Sequence, residues 1–177
     1  MQLLKVAREK GVLPHFIFRL FGLLRYDEMI RFTEIHRKVV GHPLISLEAQ
    51  RIVFNNQVYK KRSRNEHRGR FYNNVHPTFM AWLNHFAATD QSLWCSTWME
   101  REIRRKIPAK YADRNLLRHT AITHHCLAFK NPLQTAFIAG NSVSIIQNHY
   151  LNMNVPEAEA QQLYALTPEK AQQLGIL

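Results

Sequence analysis

The chain has 177 residues, of which 46% are hydrophobic, 11% aromatic and 21% charged, a balance that excludes disordered, collagenous and disulfide-stapled classes and, at roughly 100–200 residues per domain, fits one domain with its own core. Twenty-four Lys and Arg against thirteen Asp and Glu give a net charge of +11, which points to a polyanion, nucleic acid first, as the partner. No stretch approaches the ~20 apolar residues of a membrane span, because the longest apolar region, 12–24, is interrupted by Pro14, His15 and Arg19.

The first residues, MQLLKVAREKG, lack the apolar core and small-residue cleavage site of a signal peptide. From Val12 to Lys38 the periodicity is helical: Leu13, Phe16, Ile17, Leu20, Phe21 and Leu24 form one stripe, with Pro14 tolerable in a first turn. Gly22 marks a break, and a second helix starts at Arg25 or Tyr26 and continues through Met29, Ile30, Phe32 and Ile35. Asp27 and Glu28 fall in its first turn, where a helix N-terminus favours anions. After Gly41 the period changes: 44–47, a turn at 48–50 and then 51–54 predict a short hairpin of β-branched and aromatic residues. Lys60 to Arg70 is the densest basic run and predicts a loop, with 70–75 returning as a third strand.

Helical spacing resumes at Pro77 (Phe79, Met80, Trp82, Leu83, Phe86), and Trp98 to Lys106 predicts a basic helix. Leu116 to Phe129 predicts an apolar helix that stops before Asn131-Pro132, and Leu133 to Ile138 one that ends at Gly140. Val143 to Tyr150 and Pro156 to Tyr164 predict two more ahead of a polar tail. No repeat, low-complexity tract or linker divides the chain. The expected fold class is mixed, mainly α with a small three-stranded antiparallel sheet, in a single domain.

Ten histidines raise the question of a metal. His124, His125 and Cys126 are adjacent, and helical neighbours point about 100° apart, so they cannot share one ion. HExxH, paired CxxC, GxxxxGK and GxGxxG patterns are all missing, so no metal and no nucleotide cofactor is expected. Cys95 and Cys126 make no CxxC pair, which fits a reducing cytoplasm. An RNA-binding reading is disfavoured, since no aromatic RNP-like strand or GxxG loop is present.

What remains is a set of arginines and a tyrosine in a particular order. Asn115-Leu116-Leu117-Arg118-His119-Thr120, then Ala139-Gly140-Asn141-Ser142, then His149-Tyr150 resemble the C-terminal half of the tyrosine recombinase (phage integrase) catalytic domain, whose pattern is H-x-x-R, later G-H or G-W, then a nucleophilic tyrosine. Gly22-Leu23-Leu24-Arg25-Tyr26-Asp27-Glu28 is similar to that family's G-L-R-x-x-E segment. The hairpin 45–54, Lys60 and Val75-His76-Pro77 are similar to its small sheet with a lysine in the turn between strands two and three. The likeness covers about Val12 to Leu166, and four motifs in order are more specific than any one.

The resemblance implies cleavage and rejoining of double-stranded DNA through a 3′-phosphotyrosine, as in site-specific recombination or integration, without a cofactor. Breaking a phosphodiester needs a nucleophile, donors for the non-bridging oxygens and an acid for the leaving 5′ oxygen. Tyr150 would be the nucleophile, Arg25 and Arg118 the clamping forks, and Lys60 the acid, with Lys61 beside it as the alternative. Asn115 and Asn141 stand where the family has histidine, and histidine or tryptophan; an amide can donate to a phosphate or orient the tyrosine but cannot shuttle a proton. Those proton roles would pass to His119 or His149. Lys61, Arg62, Arg64, Arg68 and Arg70 are expected to contact DNA phosphates.

Singly, each residue has a plainer reading. Arg25 reads as a solvated arginine paired with Glu28 at i,i+3, and Tyr150 is one of six tyrosines. Arg118 is harder to dismiss, since a guanidinium inside an apolar helix is costly unless paired. The family's segment after the tyrosine often docks on a neighbouring protomer, so 155–166 is the expected route to a homo-oligomer on DNA. About a dozen residues precede the first predicted helix, so the expectation is the catalytic domain without the family's N-terminal clamp, in the cytoplasm with the nucleoid. The rival expectation is a DNA-binding module that keeps the fold while its asparagines have silenced it.

Overall fold

A helix that is apolar on every side must be buried on every side, and α2 (Leu13–Phe21) is: all nine of its residues are buried. The computed structural model describes residues 2–58, 69–108, 115–151 and 154–177. Pro14 sits in the first turn of α2, where its missing N–H costs nothing. Gly22 ends the helix, and a Cβ there would lie 2.6 Å from the Phe18 carbonyl. Leu23 then takes a left-handed φ of 55°, turning the chain sharply into α3 (Tyr26–Ile35). The residues ahead of α2, for which no helix was expected, form α1 (Gln2–Glu9), which buries Leu4 and Ala7 and packs on α2. Eight residues are too few for an autonomous helix, so packing, not local propensity, stabilises it.

The sheet has the expected order: β1 (Ile45–Ser46), β2 (Arg51–Phe54) and β3 (Arg70–Tyr72), each antiparallel to the next. In β2–β3 register Ile52 faces Tyr72 and Phe54 faces Arg70, all four on the buried face. The remaining helices are α4 (Pro77–Ala88), α5 (Thr97–Arg105), α6 (Leu116–Phe129), α7 (Pro132–Ala139), α8 (Val143–His149), α9 (Glu157–Tyr164) and α10 (Pro168–Gln173). Phe18 packs on Phe32 and Phe79 with centroids 4.9 and 5.2 Å apart, joining α2 to α3 and α4. The segment after α9 is not a loose polar tail: α10 buries Ala171, Ile176 is fully buried, and Trp82 Nε1 donates to the Leu166 carbonyl at 2.7 Å. Helix α9 lies along α6, so the C-terminal segment closes the core of its own chain. Among the described residues no helix is long and apolar enough to cross a membrane.

Candidate functional site

The tight turn at Gly22-Leu23 delivers Arg25 to the N-cap of α3. Glu28, three residues on, accepts the Arg25 backbone N–H at 2.9 Å through Oε2 and the Arg25 Nη1–H at 2.8 Å through Oε1. Its carboxylate therefore caps the helix and fixes the arginine at once, aided by the positive end of the helix dipole. The Arg25 side chain remains 43% exposed while that of Glu28 is 3% exposed. Burial pushes the Glu28 carboxyl upward, but Arg70 and Arg25 outweigh it and the net shift is downward, so Glu28 is ionised at neutral pH.

Arg118, on α6, is 5% exposed and satisfies the costs of burial with backbone carbonyls. Nη1 donates to the Leu23 carbonyl at 2.5 Å and Nη2 to the Ala139 carbonyl at 2.8 Å. The guanidinium thus ties the turn before α3 to the end of α7. Burial lowers its pKa to about 10, with nearby Arg25 and Arg70 adding to the effect and Glu28 opposing it; the group is still charged at neutral pH.

Asn141 lies between the Gly140 cap of α7 and the Ser142 cap of α8. Its Oδ1 accepts from Arg25 Nη2 at 2.7 Å and from Arg118 Nη2 at 3.3 Å. Two guanidinium edges on one amide force the oxygen toward them and turn Nδ2 the other way. That Nδ2 is buried and has no acceptor among the described residues. Two cationic forks converge on one neutral oxygen, beside a buried donor that lacks an acceptor.

Tyr150 ends α8 and is 8% exposed, its carbonyl accepting from Thr123 Oγ1 at 2.9 Å. Its ring packs on His119 with centroids 4.7 Å apart, and Tyr150 is near enough to Arg118 to interact with it electrostatically. Asn115 is exposed at the N-cap of α6, one turn ahead of Arg118. Residues Arg25, Arg118, Asn141 and Tyr150, spread over 126 positions of sequence, are therefore gathered around the α3, α6 and α8 ends. Lys60, Lys61, Arg62, Arg64 and Arg68 lie outside the described residues.

Arg70 is a correction. The basic run implied a phosphate contact at the surface, yet its side chain is 3% exposed and donates to Glu28 Oε2 at 2.9 Å. Strand alternation is the cause: Arg70 and Tyr72 point inward and Phe71 outward. Glu28 as a shared anchor was also missed as a site residue. The signal for Arg70 was in the pattern, since a third strand pairing with Ile52 and Phe54 must set alternate residues inward. Among the described residues no group of three or more His, Cys, Asp or Glu could hold a metal ion. No family model matches the chain, and neither a curated protein nor a solved structure matches it.

Proposed function

We propose that this chain cleaves and rejoins DNA strands, with Tyr150 as nucleophile and Arg25, Arg118 and Asn141 as the phosphate-binding groups. The observation that carries this reading is the convergence of Arg25 Nη2 and Arg118 Nη2 on Asn141 Oδ1, next to the buried Asn141 Nδ2. A phosphate oxygen is a stronger acceptor for two guanidiniums than an amide oxygen, because the bonds become charge-assisted. A phosphodiester seated there would take the forks and release the Asn141 amide, which could then turn over and donate its Nδ2–H to a phosphate oxygen. The +11 net charge supports a polyanionic substrate.

In the proposed step the Tyr150 phenol oxygen attacks phosphorus, the bond to the 5′ oxygen breaks, and a 3′-phosphotyrosyl ester forms. The phenol proton passes to a base, and the packing of the His119 ring on the Tyr150 ring supports His119 in that role. The leaving 5′ oxygen takes a proton from the acid, a role assigned to Lys60 by the family resemblance alone. Rejoining is the reverse attack by the 5′ hydroxyl, so no nucleotide is consumed. The donors around the phosphate stabilise the charge that grows on its oxygens.

A nicked suicide duplex, from which the cleaved fragment diffuses away, tests this directly on a denaturing gel. The expected result is a covalent protein–DNA adduct that is absent in Tyr150→Phe. Salt-sensitive duplex binding with no adduct under any condition would overturn catalysis and leave a DNA-binding module.

A further inference from the structure

Arg70 belongs to the basic run by sequence and to the interior by position. It faces Phe54 across the β2–β3 ladder, and its guanidinium overlies that ring at 4.9 Å. On one side Nη2 donates to Glu28, the carboxylate that also holds Arg25. On the other side lies the left-handed turn at Gly140, with φ of 64°. A Cβ at that glycine would come 2.2 Å from Arg70 Nη1 and 3.3 Å from Cζ, so the turn and the guanidinium lie against each other and a side chain there would collide. This turn presents Asn141 to both forks, and the Ala139 carbonyl just before it anchors Arg118. One buried cation touches both halves of the site.

We infer that Arg70 is a positioning residue that shares Glu28 with Arg25 and braces the Gly140 turn, setting the distance between the two phosphate-binding forks; this rests on the DNA-cleavage reading above. Without Arg70, Glu28 keeps Arg25 as its chief partner and draws it inward, and the turn carrying Asn141 loses the group it packs on. The charge count points the same way. Arg25, Arg70 and Arg118 against Glu28 leave two net positive charges, against one negative charge on a phosphodiester and two on its five-coordinate transition state. The second net charge therefore acts mainly in the transition state, and its loss falls on the rate more than on binding. At 3% exposure Arg70 itself does not reach the substrate.

The test is single-turnover adduct formation on the nicked duplex by the full chain, with affinity measured separately by anisotropy on an intact duplex. Arg70→Met is expected to slow adduct formation about 10²-fold, the scale of a small misplacement of reacting groups, with duplex Kd changed by less than about threefold. Arg70→Lys, which keeps the charge, is expected to recover about tenfold of that loss. In a Glu28→Gln background the same Arg70→Met change is expected to add less than about threefold, because both act through one ion pair. Adduct formation by folded Arg70→Met at the wild-type rate, or a rate loss matched by an equal loss of affinity, would overturn the inference and leave the function standing. If Arg70→Met does not fold, the Arg70→Lys and Glu28→Gln cycle decides, and additive effects overturn the inference. If the wild-type chain forms no adduct and behaves as Tyr150→Phe does, the functional reading fails and the inference falls with it.

Discussion

Arg19 and Glu100 join α2 to α5 across 2.7 Å, with side chains 1% and 2% exposed. Glu28 instead faces two guanidiniums, Arg25 and Arg70, with Arg118 alongside, and one of those cations stays 43% exposed. The first arrangement pairs one buried cation with one buried anion on the wall of a cavity of about 910 Å³ that Arg104 also lines; the Arg19 guanidinium also lies over the Tyr26 ring at 5.4 Å. The second leaves uncompensated positive charge beside the exposed Arg25, with the Asn141 amide oxygen as the acceptor that Arg25 and Arg118 share. Surplus buried charge is expensive unless an opposing charge completes it. A self-neutralised pair needs no ligand, whereas a cationic surplus beside an exposed arginine suits an anion from outside.

The contrast can be broken by exchanging what each pair does. Arg19→Met leaves Glu100 buried and uncompensated, and the expected loss is about 3–5 kcal/mol of stability by urea unfolding. The duplex affinity of the folded fraction should be unchanged; a parallel loss of affinity would mean the α2–α5 pair serves the site. Arg118→Ala should reduce the rate of adduct formation about 10²–10³-fold, equivalent to about 2.7–4 kcal/mol, while much of the bulk duplex affinity survives. Adduct formed at the wild-type rate by this variant would remove Arg118 from the site.

Acid sharpens the comparison next. Burial first, and for His15 the neighbouring Arg19 second, lower the pKa of His15 and His125 to about 3; burial lowers His42 to about 4. The unfolded chain takes up these protons near pH 6.5 and the folded chain only near 3 or 4, so the unfolded state binds more protons in between. Stability should therefore fall as pH drops from about 6.5 to 4, by up to about 1.4 kcal/mol per pH unit for each histidine. Urea midpoints across that range check the slope, and a flat profile would mean these rings are not buried neutral. Arg118, at about 10, stays charged throughout that window. The smallest effect belongs to the exposed pair Lys130–Glu157, at 2.9 Å with side chains 70% and 52% exposed. Lys130→Ala should cost less than about 1 kcal/mol, and less still in high salt.

The sequence marked out much of the fold because periodicity and stop signals are local. The Leu116 to Phe129 helix, the Gly22 break and the Arg51 to Phe54 strand all match their expected bounds. Helix α1 and α10 were not legible: each buries two residues, too few to make a periodic signal, and both owe their form to the surfaces they cover. At the site, Arg118 stood out as a guanidinium within an apolar helix, but nothing in its neighbourhood named its partners. Those partners, the Leu23 and Ala139 carbonyls, are 95 and 21 positions away.

Composition and local pattern by themselves determined a basic, mainly helical domain with one small sheet, and an ordered set of arginines ending in a tyrosine. Tertiary structure alone decided which cations are available. Arg25 and Arg70 carry the same charge and share the same carboxylate, yet one faces solvent and the other is sealed beneath the Gly140 turn. Charge is a property of the residue, but exposure and partners are set by strand register and helix packing, through contacts between positions distant in the chain.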